Sequence, residues 1–351
     1  MDFSLLFFSS NEADFADDKY RLFFETSKLA DARGFKAIWA PERHFHAFGG
    51  LYPCPSLLCG ALAMVTRRIR LRAGSVVLPM DHPIRVAEQW SVVDNLSGGR
   101  VDVAFATGWN PNDFVLAPES YEDRVALLFS RILTVKALWC GEGVSFPNGK
   151  GEMASVRLYP QPKQPDLPVW ITCSGGEERF VQAGAFGANV LTALILQSLD
   201  DLATKIAAYR RARAEHDHDP AAGKVTLMMH TFIGDRLEEV RQAVQRPFMS
   251  YLRSAVELWG AFWKELQALP PAEQEEVIVL AFERYFRTAA LFGTPETCAR
   301  AVERLAAIGV DEIACLIDFG VDLDATMASL HRLSAFKDRF AGAAWAARGT
   351  P

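Results

Sequence analysis

The sequence predicts an α/β chain of the (β/α)8 TIM-barrel type, with insertions before its fifth strand and after its seventh, and three observations carry that reading. Eight short segments are apolar enough to be buried on both faces, as strands of a parallel sheet covered by helices must be. Segments of helical period run between them, so the two kinds alternate along the chain. One unit also recurs: Leu-Ala-Asp-Ala-Arg-Gly-Phe-Lys-Ala-Ile-Trp (29–39), Gln-Ala-Gly-Ala-Phe-Gly-Ala-Asn-Val-Leu (182–191) and Leu-Ala-Ala-Ile-Gly-Val-Asp-Glu-Ile-Ala-Cys-Leu (305–316). Each reads as a helix stopped by glycine and followed by a strand. A doubly wound open sheet is the runner-up, but it usually has fewer units.

Residues 3–8 form the first strand, and the polar stretch from Asn11 to Asp18 is expected to cap a helix from Lys19 to Arg33. Ala37 to Ala40 is the second strand, ended by Pro41. A helix at 56–65 leads to the third strand (70–77), a helix at 84–96 to the fourth (101–106), and a helix at 122–140 leads away from it. Residues 141–165, rich in glycine and proline, read as a hairpin excursion. Strands at 168–173, 188–192, 225–232 and 312–317 complete the eight, with helices from 177, at 199–214 and at 324–340. The second insertion, 235–293, holds helical segments bearing Trp259, Phe262, Trp263, Tyr285 and Phe286. Those aromatics are expected to pack on the barrel or on a partner subunit, with a lid over a substrate channel as the other reading. No linker interrupts the chain, so residues 1–345 are expected to form a single domain.

The net charge of −6, with no long run of lysine or arginine, argues against a nucleic-acid binder. No apolar segment is long enough to span a bilayer, and the start lacks the basic region of a signal peptide, so a cytoplasmic location is expected. The six cysteines show no Cys-x-x-Cys pairing, which predicts neither disulfides nor a structural zinc.

In a barrel of this kind the active site lies at the carboxyl ends of the strands. That criterion selects Glu42, Arg43, His44 and His46 after the second strand, and Gly74, Ser75, Met80, Asp81 and His82 after the third. After the fourth it selects Thr107, Gly108, Trp109, Asn110, Asn112 and Asp113; after the fifth, Cys173, Ser174, Gly175, Gly176 and Glu177; later, Thr192, Gln197, His230 and Asp318. The small turn Cys173 to Glu177, at a helix start, aims backbone N–H groups at one point and suits a phosphate. Arg124, at the start of the helix after the fourth strand, would supply a forked counter-charge. An ordinary helix entry is the bland alternative. Neither Gly-x-Gly-x-x-Gly after the first strand nor a P-loop is present. His44 and His46 have a spacing that metal hydrolases use, but Pro41 ends the strand before them and carboxylate company is sparse. No Gly-x-Ser-x-Gly elbow marks a serine hydrolase.

Four segments then resemble, as an ordered set, the bacterial luciferase-like flavin monooxygenases. They are Ala-Pro-Glu-Arg-His-Phe (40–45), Gly-Ser-Val-Val-Leu-Pro with His-Pro-Ile-Arg (74–85), Val-Val-Asp-Asn-Leu-Ser-Gly-Gly-Arg (92–100) and Gly-Trp-Asn-Pro-Asn-Asp-Phe (108–114). More narrowly, the chain resembles the luciferase-like oxygenases of polyketide and nonribosomal peptide assembly lines, over residues 2–335. The resemblance implies an enzyme that takes reduced FMN and O2 and oxygenates a substrate tethered to a carrier protein, by hydroxylation or Baeyer–Villiger oxygen insertion. It places His44 at the reacting edge of the flavin with Glu42 and Arg43 beside it as the catalytic group. It sets a non-proline cis peptide at Gly74-Ser75 under the flavin, has Thr107 and Trp109 line it, and makes Arg124 with Cys173, Ser174, Gly175 and Gly176 the phosphate cradle. A flavin reductase supplying the reduced cofactor and a homodimer are the further partners expected. A deazaflavin-dependent oxidoreductase and a non-catalytic flavin-binding or docking domain are the alternatives. The chain departs from the pattern at Gly176, where relatives tend to have asparagine, and at Ala193, where they tend to have histidine.

Overall fold

Each apolar segment becomes a strand because it must bury both faces, and eight of them close on one another. The computed structural model describes residues 1–8, 18–195, 197–259 and 268–341. Its elements are β1 (Asp2–Leu6), α1 (Arg21–Ala32), β2 (Ala37–Ala40), α2 (Pro55–Val65), β3 (Arg70–Val76), α3 (Pro83–Ser97), β4 (Val101–Phe105) and α4 (Arg124–Trp139). The hairpin β5 (Val144–Pro147) and β6 (Met153–Val156) follows, then β7 (Val169–Cys173), α5 (Glu177–Ala185), β8 (Asn189–Ala193), α6 (Leu199–Glu215) and β9 (Val225–Ile233). The remainder comprises α7 (Leu237–Trp259), α8 (Pro271–Arg284), β10 (Leu291–Gly293), α9 (Pro295–Ala307), β11 (Glu312–Leu316) and α10 (Leu323–Asp338). Parallel pairing runs β1-β2-β3-β4-β7-β8-β9-β11 and back to β1, which closes the eight-stranded barrel. The proposed cap at Asn11 to Asp18 lies, but for Asp18, outside the described residues.

The hairpin falls where glycine and proline place it, before the fifth barrel strand. β10 is an addition to the expected order: Leu291 to Gly293 pairs in parallel with Thr231 to Ile233, the far end of the nine-residue β9. Three residues are too few to announce a strand by periodicity.

One expectation needs correction. The strands are not apolar throughout, because Arg72, Asp102 and Glu312 point into the barrel and are all but inaccessible. Arg72 Nε donates to Asp102 at 2.6 Å, and its Nη1 donates to both Glu312 oxygens at 2.8 and 2.9 Å. Its guanidinium lies against both the Trp39 and Trp170 rings, 4.7 and 4.5 Å from their centroids. Trp39 Nε1 and Ser4 Oγ bond to the same Glu312, and Trp170 Nε1 donates to Thr226. The barrel is thus plugged by a satisfied polar layer, and its opening lies at the carboxyl ends of the strands.

The second insertion packs over that end. Phe248 and Tyr251 of α7, with Tyr285 just past α8, meet His230 of β9, and Tyr251 also meets Phe48. Phe286 joins the same cluster through Phe282 and Phe292. Of the other aromatics named for this insertion, Phe262, Trp263 and the Trp259 side chain lie outside the described residues. Among the described residues no helix is long and apolar enough to cross a membrane.

Candidate active site

Pro41 stops β2 and turns Glu42, Arg43 and His44 onto the rim of the barrel. Glu42 uses both oxygens: Oε2 accepts from the Val77 N–H at 2.9 Å and Oε1 meets His44 Nε2 at 3.0 Å. That bond raises the His44 pKa above the ordinary imidazole value, against the opposing effect of burial. Asp81, from the turn after β3, is pushed up to about 6 by burial and by the charge of Glu42. A carboxyl and an imidazole with displaced pKa values, Asp81 and His44, therefore share one corner with Glu42, as acid/base sites often do.

Arg43 is 4% exposed. Its backbone N–H donates to Tyr52 O at 2.9 Å, and Gly49 packs so closely that a Cβ there would stand 2.7 Å from Arg43 Cγ. The guanidinium lies 4.9 Å from the Trp109 ring centroid and reaches Asp113 through Nη1 at 3.4 Å. Asp113 is held in turn by Asn110 Nδ2 at 2.7 Å. Burial lowers the Arg43 pKa and raises that of Asp113, and their mutual attraction does not reverse either shift.

The peptide Gly74-Ser75 is cis, as the resemblance anticipates. A Cβ at Gly74 would meet Trp39 at 3.1 Å, so a side chain there would press on that ring, and Ser75 Oγ lies 2.5 Å from Thr172 Oγ1. Thr107, Gly108 and Trp109 follow β4 on the same rim and are half-buried. Gly108 adopts φ +75° with Phe114 and Val77 crowding the place of a side chain.

On the neighbouring β7 the predicted turn divides. Ser174, Gly175 and Gly176 are exposed, and Gly176 begins α5 without a side chain capping its first N–H groups. The Cys173 thiol is buried and directed at the carbonyls of Ile171 and Arg179, which leaves its backbone as the part of the residue that faces the turn. Side chains alternate along a strand, so Cys173 shares the helix-facing side of Val169 and Ile171 while Trp170 and Thr172 face inward. Burial also raises its pKa, so it is no reactive thiol. Arg124 begins α4, with Nη1 on Tyr121 O at 2.6 Å and its guanidinium 4.2 Å from the Tyr121 ring. Sequence reasoning missed Lys205 of α6, whose Nζ donates to Gly175 O at 3.1 Å and to Gln197 Oε1 at 2.9 Å. Nothing local in the sequence signals it, because the contact spans thirty residues.

His230 is 3% exposed, and Phe248, Tyr251, Tyr285 and Phe319 all meet its ring edge-on. Burial lowers its pKa to about 3, so it stays neutral. Asp318 accepts from Phe8 N and from Tyr52 Oη, each at 3.0 Å. His46 Nδ1 accepts from the Phe48 N–H at 3.1 Å. Among the described residues no group of three or more His, Cys, Asp or Glu could hold a metal ion.

Comparison with known proteins agrees with the fold. A family model described as luciferase-like monooxygenase matches residues 1–312. The oxygenase component of the flavin-dependent trigonelline monooxygenase of Acinetobacter baylyi is 28% identical over 349 residues, 95% of this chain and 93% of that protein. The monooxygenase RslO1 of Streptomyces bottropensis superimposes with a TM-score of 0.81 at 22% identity, covering 97% of this chain and all of that one. The oxygenating constituent of 3,6-diketocamphane monooxygenase from Pseudomonas putida, solved with FMN, gives 0.73 at 17% identity, covering 95% and 96%.

Proposed function

The chain belongs to the luciferase-like monooxygenase family, and from that premise we propose that it is the oxygenase component of a system that uses reduced FMN and O2 to oxygenate a small organic substrate. The observation that carries this reading is the rim itself, where the 3.0 Å Glu42–His44 pair stands beside the buried Arg43–Asp113 pair.

The residues fit FMN. At Gly175 and Gly176 an added Cβ would meet nothing within 4 Å, which leaves room for a phosphate against the uncapped start of α5. Lys205 brings positive charge to that turn, and Arg124, at the start of the helix after the neighbouring strand, would add a second cation. When bound, the reduced flavin supplies the electrons that activate oxygen. His44 would hold and release a proton at Nε2, with the Glu42 bond strengthening its hold on that proton. Arg43 would steady negative charge on an oxygen, and the aromatic cap would exclude water.

Both hydroxylation and Baeyer–Villiger insertion are compatible with this arrangement, and a flavin reductase is the partner that delivers the reduced cofactor. The substrate delivered on a carrier protein is tested by assaying free and carrier-bound forms side by side. Leu57, Met64 and Val65 of the apolar helix α2, with Val92 and Leu96 of α3, present an exposed apolar face that supports a homodimer. Light scattering should find a dimer that the double variant Leu57→Asp, Leu96→Asp converts to a monomer; a monomeric native chain would exclude it.

Turnover with reduced FMN against reduced deazaflavin is the experiment that tests the reading. Oxygen uptake coupled to product with FMN alone is expected, and turnover only with the deazaflavin would overturn it.

A further inference from the structure

Three described residues hold buried side-chain atoms without a hydrogen-bond partner: Ser27, His230 and Arg43. Only Arg43 has two, Nε and Nη2, and both lie on one edge of the guanidinium. Nη1 is the nitrogen that faces Asp113. The Nε–Nη2 edge is one of the two-donor faces with which arginine grips a carboxylate in fork fashion.

Contacts on three sides hold that edge in place. Its stem is wedged against Gly49, its backbone is tied to Tyr52 and its plane lies against Trp109. The carboxylates around it are committed elsewhere, Glu42 to His44 and Val77, and Asp113 Oδ1 to Asn110. A buried charged donor left unpaired is costly, and a ligand that supplies two acceptor oxygens removes the cost.

We infer that the Nε–Nη2 edge of Arg43 receives the carboxylate of a small organic acid, which names the substrate class of the active site proposed above and rests on that reading. A thioester-tethered chain has given up its carboxylate and offers one oxygen to a two-donor edge, so the site selects a free acid over a carrier-bound acyl group. The half-buried Trp109 ring beside Arg43 favours a planar acid.

Isothermal titration of the native chain with benzoate and with benzamide, with and without FMN, tests this directly, because the two probes share a shape and differ in the charged second oxygen. Benzoate is expected to bind at least tenfold more tightly than benzamide. Arg43→Gln should lose that preference while leaving FMN affinity unchanged, which also shows the variant to be folded. Failure of benzoate to bind, equal binding of the two probes, or an unchanged preference in Arg43→Gln would overturn the inference. A loss of FMN affinity in Arg43→Gln would assign the edge to the cofactor, overturning the carboxylate proposal and leaving the flavin reading intact. A native chain that prefers benzoate but binds no FMN would uphold the carboxylate site and remove the flavin reading instead.

Discussion

Arg72 and Arg43 are equally buried in the same barrel, at 2% and 4% exposure, yet their surroundings treat them in opposite ways. Burial alone would lower the pKa of both, but Glu312 and Asp102 lift Arg72 above its ordinary value while Arg43, with Asp113 alone, falls below it. Arg72 has two carboxylates and two indole faces, and none of its buried nitrogens lacks a partner; Arg43 has one carboxylate at 3.4 Å and two orphaned nitrogens. The difference separates scaffold from site. A buried cation whose acceptors all come from the chain holds the barrel together, whereas one left short of acceptors marks where a ligand completes the set.

The sharpest way to break this comparison is to remove each cation in turn. Arg72→Met leaves Asp102 and Glu312 buried without their shared partner and should cost about 3–5 kcal/mol in urea unfolding. Arg43→Met should cost roughly 1 kcal/mol, since it gives up one long bond. Equal losses would erase the distinction. Next in size, Arg124→Ala should weaken FMN binding about tenfold by fluorescence titration, the loss of a charge-assisted bond; unchanged affinity would remove Arg124 from the cradle.

A smaller effect sharpens the site side. Because Glu42 raises the folded-state pKa of His44, the imidazole is charged below that pKa and loses its charge as pH rises through it. Whatever stability the pair contributes is therefore full below the unfolded value of about 6.5 and lost above the raised one. Turnover that needs the charged form should fall along the same limb. Glu42→Gln should move that limb to lower pH in a rate profile, and a profile that stays in place would show that another group titrates.

Much of this was legible in the chain. The eight strands follow from apolar runs and the hairpin from glycine and proline, because those signals are local. Glu42, Arg43 and His44 could be chosen because a proline ends the strand just before them. Less could be read where partners come from far away. The need of Arg43 for a ligand depends on Asp113, seventy residues on, and the plug depends on Arg72 meeting Glu312 across 240. The direction of the Cys173 thiol was illegible for a different reason: its position at a strand end could be read, but strand parity, which turns the thiol toward the helices, could not.

The proposed oxygenase puts reduced flavin and oxygen to use at the rim bearing the Glu42–His44 pair. His44→Ala, assayed for FMN affinity and for product by mass under the same conditions, tests this most directly. Native FMN affinity with product formation lowered on the order of 10²-fold or more is expected; undiminished product would remove His44 from the reaction.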